Sequence, residues 1–350
     1  MGQGYKRHDG DPAAWTSGAL PGGKDALCFD LGARHIAALK DDLRRVEARG
    51  LAVEAITRAD FPLAPMASEI ARLKDETVRG RGLVIIRGFP FDDFTIEEVA
   101  KVYWGVGTHF GTAVSQSVMG DRLGHVVDMT DVDPHARAYR AKRELLLHTD
   151  LSDAVSFCSV RRAMTGGISQ FASALAVHDE ILRTKPAYMP ILYRGFRWHR
   201  LGEQGAGEEP ITPYRVPHFS NREGYVSCRY VRNYIREAAY HLDQPLTEEE
   251  FSALDYFDAI AARPDFKVEF LLERGEIVFM NNLTVLHART AFENAPPPAP
   301  KRHLMRLWLA VPGGRPTVPE IQVYGTGPGG GVPKQEEGRT PSFARNASSN

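Results

Sequence analysis

Apolar positions recur along this chain in two rhythms. Between Ala33 and Arg49, Ile36, Leu39, Leu43 and Val46 fall three or four residues apart with charged residues between them, and Ala67 to Arg79 repeats the spacing. Both segments predict surface helices. Gly82-Leu83-Val84-Ile85-Ile86-Arg87-Gly88-Phe89 is instead a short apolar run bounded by glycines, which predicts a buried strand. Thr95-Ile96-Glu97-Glu98 predicts a helix start capped by Thr95. From about residue 140 the pattern shortens to strand-like stretches, including Val226 to Val231 and Phe266 to Leu272. Helices interrupt them at Ala172 to Arg183 and Thr247 to Ala262, the second opening on a Ser/Thr-x-x-Glu capping box. Many short strands with inserted helices predict an α+β, mostly β chain built as an elaborated jelly roll.

The two ends lose both rhythms. Residues 1–24 and 325–350 are rich in Gly, Pro and small polar groups, which predicts a flexible N-terminal arm and a flexible C-terminal tail around a single domain at 25–324. A length of 350 residues is ample for one such core. A formal net charge of −1 gives no general electrostatic reason for a nucleic-acid or anionic-membrane partner, so the expected partner is a small molecule. Whether the chain forms a homo-oligomer stays open. Cys28, Cys158 and Cys228 are scattered without metal or disulfide spacing, no run approaches transmembrane length, and Met1 to Lys6 has no apolar signal core. These features predict reduced thiols and a cytoplasmic address.

Candidate chemistry centres on His148-Thr149-Asp150. If Leu145 to His148 enters a strand, the period of two turns residues 148 and 150 to one face, about 7 Å apart along it. A lone His-x-Asp is commonly a surface pair, but a third group, His287, follows the apolar approach Glu276 to Leu286. Two imidazoles and one carboxylate suit a redox iron, which needs few protein ligands and several free positions. Arg302 and Arg306 then lie on the strand-like run Arg302 to Leu309, where an apolar core would not welcome them. Buried arginines need anionic partners, and an even offset on a strand directs both to one face.

Taken together, these motifs resemble the taurine dioxygenase family of iron(II)- and 2-oxoglutarate-dependent oxygenases, over roughly residues 80 to 312. The resemblance rests on His148 and Asp150, on Asn282 to His287 with Arg289, on Arg302, on the Gly82 strand, and on Gly166-Gly167-Ile168-Ser169. It implies a distorted jelly roll, the clavaminate synthase-like double-stranded β-helix, with flanking helices. It implies Fe(II) on His148, Asp150 and His287, with 2-oxoglutarate held by Arg302 and assisted by Ser169. With O2, the implied reaction hydroxylates an unactivated carbon of a small organic acid or amino-acid-like metabolite and releases succinate and CO2. Desaturation or cyclisation stays open, while the carboxylate at 150 argues against halogenation. Ser169 stands where Thr is usual, Asn281 where Asp is common, and the Pro-rich segment Ala295 to Pro300 lengthens the loop before Arg302, leaving Arg306 as the fallback anchor.

Arg306 otherwise matches a position that reaches an acidic substrate group in the family, which implies a carboxylate or sulfonate substrate, against the alternative of a structural arginine paired with a protein carboxylate. Gln116, in the polar stretch after Gly111, is a candidate substrate contact; Arg229 is another, against a reading of it as surface-solvated. Trp104, Trp198 and Trp308 read as core residues, and the adjacent His178 and Asp179 as side chains on different helix faces. Two other classes use the same residues: a non-catalytic jelly roll that binds a metabolite or partner, and a zinc-dependent hydrolase or isomerase. The second has no need of an arginine anchor.

Overall fold

The computed structural model describes residues 5–132, 140–324 and 331–335. Fifteen strands occur among them: β1 (Cys28–Asp30), β2 (Leu83–Arg87), β3 (Thr112–Val114), β4 (Leu123–Val127), β5 (Leu145–His148), β6 (Ala154–Arg161), β7 (Thr165–Gly166), β8 (Ser169–Ser173), β9 (Phe219–Arg222), β10 (Tyr225–Cys228), β11 (Lys267–Phe270), β12 (Glu276–Asn281), β13 (Val285–Arg289), β14 (Phe292–Glu293) and β15 (His303–Ala310). Seven helices accompany them: α1 (Ala33–Ala48), α2 (Ala67–Val78), α3 (Ile96–Phe110), α4 (Ala174–Thr184), α5 (Met189–Arg194), α6 (Arg232–His241) and α7 (Glu248–Ala261).

The larger sheet runs β1-β2-β12-β6-β15-β3, with β4 also on β15; the smaller runs β11-β8-β13-β5. Alternation explains why the central strands of the larger sheet are apolar throughout. Leu83, Ile85, Val278, Met280 and Trp308 join one core with Phe171, Val268, Phe270 and Val285 of the smaller sheet. Val84, Ile86, Ile277, Phe279, Met305 and Leu307 join the other core, with the stripes of α1, α2 and α3. A strand covered on both faces has no polar side to show, which is the physical content of the unbroken Leu83–Ile86 run. Phe110 of α3 stacks on Phe279 of β12 with ring centroids 3.7 Å apart, joining helix to sheet. Thr95 and Thr247 both close the capping boxes that their sequences announce, with Glu98 and Glu250.

The ends depart from expectation. From Tyr5 onward the N-terminal segment is packed rather than loose: Trp15 is 3% exposed and its indole donates to the Arg81 carbonyl. Arg7 pairs with Asp179, and Asp11 forms a buried pair with Arg315. The reason is that a few anchors with long-range partners order an arm without any local period. At the other end, Val332 is buried, and the backbones of 332 and 335 bond to Ser115 and Val118. The rest of the expected tail, 325–330 and 336–350, lies outside the described residues. The three cysteines are unpaired. No helix among the described residues is long and apolar enough to cross a membrane.

If the arm is structural, Trp15→Ala lowers unfolding stability by about 3–5 kcal/mol, as truncation of a buried aromatic does. Urea denaturation measures it; a loss below about 0.5 kcal/mol, the surface-substitution range, would return the arm to the loosely held class.

Candidate metal centre

The smaller sheet brings the two imidazoles together. His287 of β13 stands directly opposite His148 of β5 in the ladder, and their ring centroids are 4.4 Å apart. Asp150 arrives differently from the expected strand period, because β5 ends at His148 and the carboxylate lies past the ladder, just before the bend at 151–153. One ligand atom from each of His148, Asp150 and His287 lies within 4.8 Å of the others. Nε2 of His148 is 3.9 Å from Oδ1 of Asp150, and Nε2 of His287 is 3.8 Å from Oδ2. Nδ1 of His148 is 2.7 Å from the Leu146 carbonyl; donating there, it leaves the Nε2 lone pair for a metal.

The segment that carries Asp150 is fixed through its backbone. The Asp150 N–H donates to Oδ1 of Asn282 at 2.8 Å, and the Asn282 amide donates to the carbonyls of Asp150 and Ser152 at 2.6 and 2.9 Å. Arg229 donates to the same two carbonyls and is 1% exposed. Surface solvation is therefore wrong for Arg229, whose Nη1 braces the backbone that carries the carboxylate. Thr149 completes the anchoring by exchanging bonds with Tyr230.

Burial alone would raise the pKa of Asp150, but Arg306, the two imidazoles and the Trp308 indole together hold it below the ordinary carboxylate range. Burial, reinforced by His148, pushes His287 down to about 3, which keeps its imidazole neutral. A deprotonated carboxylate and a neutral imidazole are the forms that ligate metals.

The two arginines occupy different surroundings. The ladder slips between His303 and Leu304, so Arg302 precedes the regular strand. Its guanidinium stacks 5.0 Å from the Phe292 ring, which also carries Arg289 at 4.7 Å. Arg289 is engaged by the Ala141 and Arg143 carbonyls, whereas no described carboxylate lies within ion-pair distance of Arg302. Burial and then the like charge of Arg289 push Arg302 down to about 9. Gly167, at φ +70°, abuts this cation: a Cβ there would stand 3.2 Å from Nε of Arg302. Ser169 is buried one register pair away, opposite Arg289.

Arg306 faces Asp150, with Nη1 3.4 Å from Oδ2, and its Nε donates to Oε1 of Gln116 at 2.7 Å. Gln116 returns its amide N–H groups to the carbonyls of Arg306 and Arg122. Gln116 was expected to touch substrate; with both N–H groups engaged, it holds Arg306 instead. Trp308, expected as plain core, donates its indole N–H to Oδ2 of Asp150 at 2.8 Å. Its place two residues after Arg306, on the same strand face, was the available signal. His178 and Asp179 do meet, at 3.1 Å, in a network with Tyr193 that shares no contact with the centre.

The profile of the family described as taurine catabolism dioxygenase TauD, TfdA matches residues 46–308. The chain belongs to the TauD/TfdA family. It is 31% identical over 285 residues to the FR-33289 synthase of Streptomyces rubellomurinus, covering 80% of this chain and 84% of that protein. The asparagine oxygenase structure containing Fe(II), 2S,3S-3-hydroxyasparagine and succinate superposes with a TM-score of 0.63 at 15% identity, over 81% of this chain and 93% of that one. The non-heme iron oxygenase OrfP, solved with Fe, succinate and (3S)-hydroxy-L-Arg, gives 0.60 at 12% identity over the same shares. These two likenesses establish the double-stranded β-helix fold. As a TauD/TfdA member the chain is an iron(II)- and 2-oxoglutarate-dependent dioxygenase that consumes O2. That membership sets aside the zinc hydrolase and the non-catalytic binder. The site's chemistry fits the cofactor set: a nitrogen-nitrogen-carboxylate donor group for iron, and a buried cation lacking a counter-ion among the described residues for an anionic cosubstrate.

A base whose pKa falls on folding destabilises the fold while it is charged, which for Arg302 means below about pH 9. Arg302→Met should therefore leave the ligand-free protein as stable as the parent or about 1–4 kcal/mol more stable at pH 7.5. Chemical denaturation reads this directly, and a clear loss of stability would show that the cation has an internal partner.

Proposed function

We propose that this TauD/TfdA dioxygenase hydroxylates an unactivated carbon of a small anionic metabolite, an organic acid or amino-acid-like molecule. The observation that carries the reading is the convergence of His148, Asp150 and His287 within 4.8 Å, in a chain that also buries Arg302 with no described carboxylate in ion-pair distance. In this reading the triad holds Fe(II), while Arg302, with the Ser169 hydroxyl, holds the distal carboxylate of 2-oxoglutarate by charge-assisted hydrogen bonds. Iron and 2-oxoglutarate, when bound, supply the oxidation: one oxygen of O2 enters the cosubstrate as it loses CO2 to become succinate, and the other enters a substrate C–H bond.

The protein's own groups orient and select. Arg306, steadied by Gln116, offers positive charge beside Asp150 and attracts the acidic group of the substrate. Asp150 keeps the carboxylate ligand whose loss would free a position for halide, which favours hydroxylation. Asparagine oxygenase and OrfP, solved with hydroxylated amino acids, support an amino-acid-like substrate.

Anaerobic addition of Fe(II) and 2-oxoglutarate is expected to produce a visible charge-transfer band; its absence in protein with confirmed iron occupancy contradicts the reading. Arg302→Ala removes up to two charge-assisted bonds of about 1.5–3 kcal/mol each, so it should raise the 2-oxoglutarate requirement about 100-fold. Arg306→Ala should raise it far less, and the reverse ranking would transfer the anchor to Arg306. A metabolite screen scored by substrate-stimulated succinate release identifies the substrate, and product analysis separates hydroxylation from desaturation or cyclisation.

A further inference from the structure

Asp150 differs from the histidines beside it in offering two chemically equal donor atoms. A free carboxylate can bind a metal through either oxygen or through both, and each choice takes a different number of positions on the ion. The structure breaks this symmetry. Each imidazole Nε2 is nearest a different oxygen, His148 to Oδ1 at 3.9 Å and His287 to Oδ2 at 3.8 Å, so the asymmetry lies in the donors: Oδ2 accepts the Trp308 indole N–H at 2.8 Å and stands 3.4 Å from Nη1 of Arg306. The two donors stand on the inward face of β15, two residues apart, and the Arg306 guanidinium lies 5.1 Å from the Trp308 ring.

Arg306 is itself held in place. Its Nε bonds Gln116 at 2.7 Å, and Gln116 donates back to the Arg306 carbonyl at 2.8 Å, closing a reciprocal clamp between β15 and the loop after β3. Gln116 is 3% exposed, Trp308 5% and Arg306 6%, so these bonds are made in the interior rather than at the surface. Bulk packing alone does not require an indole at 308: a phenyl ring would fill most of the same apolar space, and only the N–H distinguishes the two.

We propose that Trp308 and Arg306, with Gln116 clamping Arg306, are positioning residues that engage Oδ2 of Asp150 and reserve Oδ1 for the metal. The inference rests on the assignment of His148, Asp150 and His287 as the metal ligands, and it adds which carboxylate oxygen ligates and why. Holding the carboxylate to one oxygen keeps a position on the ion available to the cosubstrate and O2.

The test is a titration with Co(II), whose visible d–d bands report coordination without turnover. Two changes at position 308 are compared: Trp308→Phe, and benzothienylalanine, which replaces the indole N–H by sulfur and keeps the ring shape. Both should raise the Co(II) dissociation constant about 10- to 100-fold, the range for loss of an outer hydrogen-bond partner. Both should also alter the d–d bands, with the metal-free melting temperature of the benzothienylalanine protein close to the parent's. Parent-like affinity and bands in that protein would overturn the inference, even if Trp308→Phe failed to fold. Asp150→Ala separates the two levels. If it abolishes Co(II) binding while the position-308 changes do nothing, the ligand assignment survives and the positioning role falls. If Asp150→Ala binds Co(II) like the parent, both fall.

Discussion

An ionised carboxylate taken out of water persists only where cations and N–H donors surround it, and Asp150 is such a group. Two imidazoles, the Arg306 guanidinium and the Trp308 indole supply its surroundings, while Asn282 and Arg229 hold its backbone. Replacing those contacts by bulk water would make the carboxylate an ordinary surface acid. The residues around it come from β5, β13, β15 and the turn after β12, so their meeting depends on both sheets being correctly registered. Charge burial at one residue thus constrains the pairing of distant strands.

The opposite imbalance occurs nearby. Arg302 is a buried cation next to another, Arg289, and both lie against Phe292. Interiors tolerate such an arrangement when a ring face and backbone carbonyls offset part of the cost, as they do for Arg289, or when a bound anion completes it. The molecule carries instability where its cosubstrate is proposed to bind, which makes binding also a stabilising event. Rigidity comes from elsewhere: the larger sheet is packed on both faces, so the strands bearing Arg306 and Trp308 have little freedom to relax.

Much of this was readable in the chain. The stripes of α1 and α2 and the apolar run of β2 stand in the structure within a residue or two of their sequence limits, because local period and burial coincide there. His148, Asp150 and His287 were recognisable by type and company. What failed was whatever depended on contacts distant in sequence. Asp150 lies beyond the end of its strand, and the slip at His303 separates Arg302 from Arg306. Arg229 looked like a surface residue because nothing near it in sequence reveals the carbonyls it serves. The segment around Trp15 has no period yet is packed, since its partners lie at Arg81 and beyond. Gln116 stands in the sequence as a candidate substrate contact, and only the fold shows its amide bonded to Arg306.

The central claim is that one buried constellation binds both the metal and the anionic cosubstrate. The most direct measurement is anomalous diffraction at the iron edge from crystals grown anaerobically with Fe(II) and 2-oxoglutarate. A single iron peak is expected at ligand distance from His148, Asp150 and His287, with the distal carboxylate of 2-oxoglutarate on Arg302. Iron bound elsewhere, or a 2-oxoglutarate carboxylate seated on Arg306 with Arg302 left empty, would contradict it.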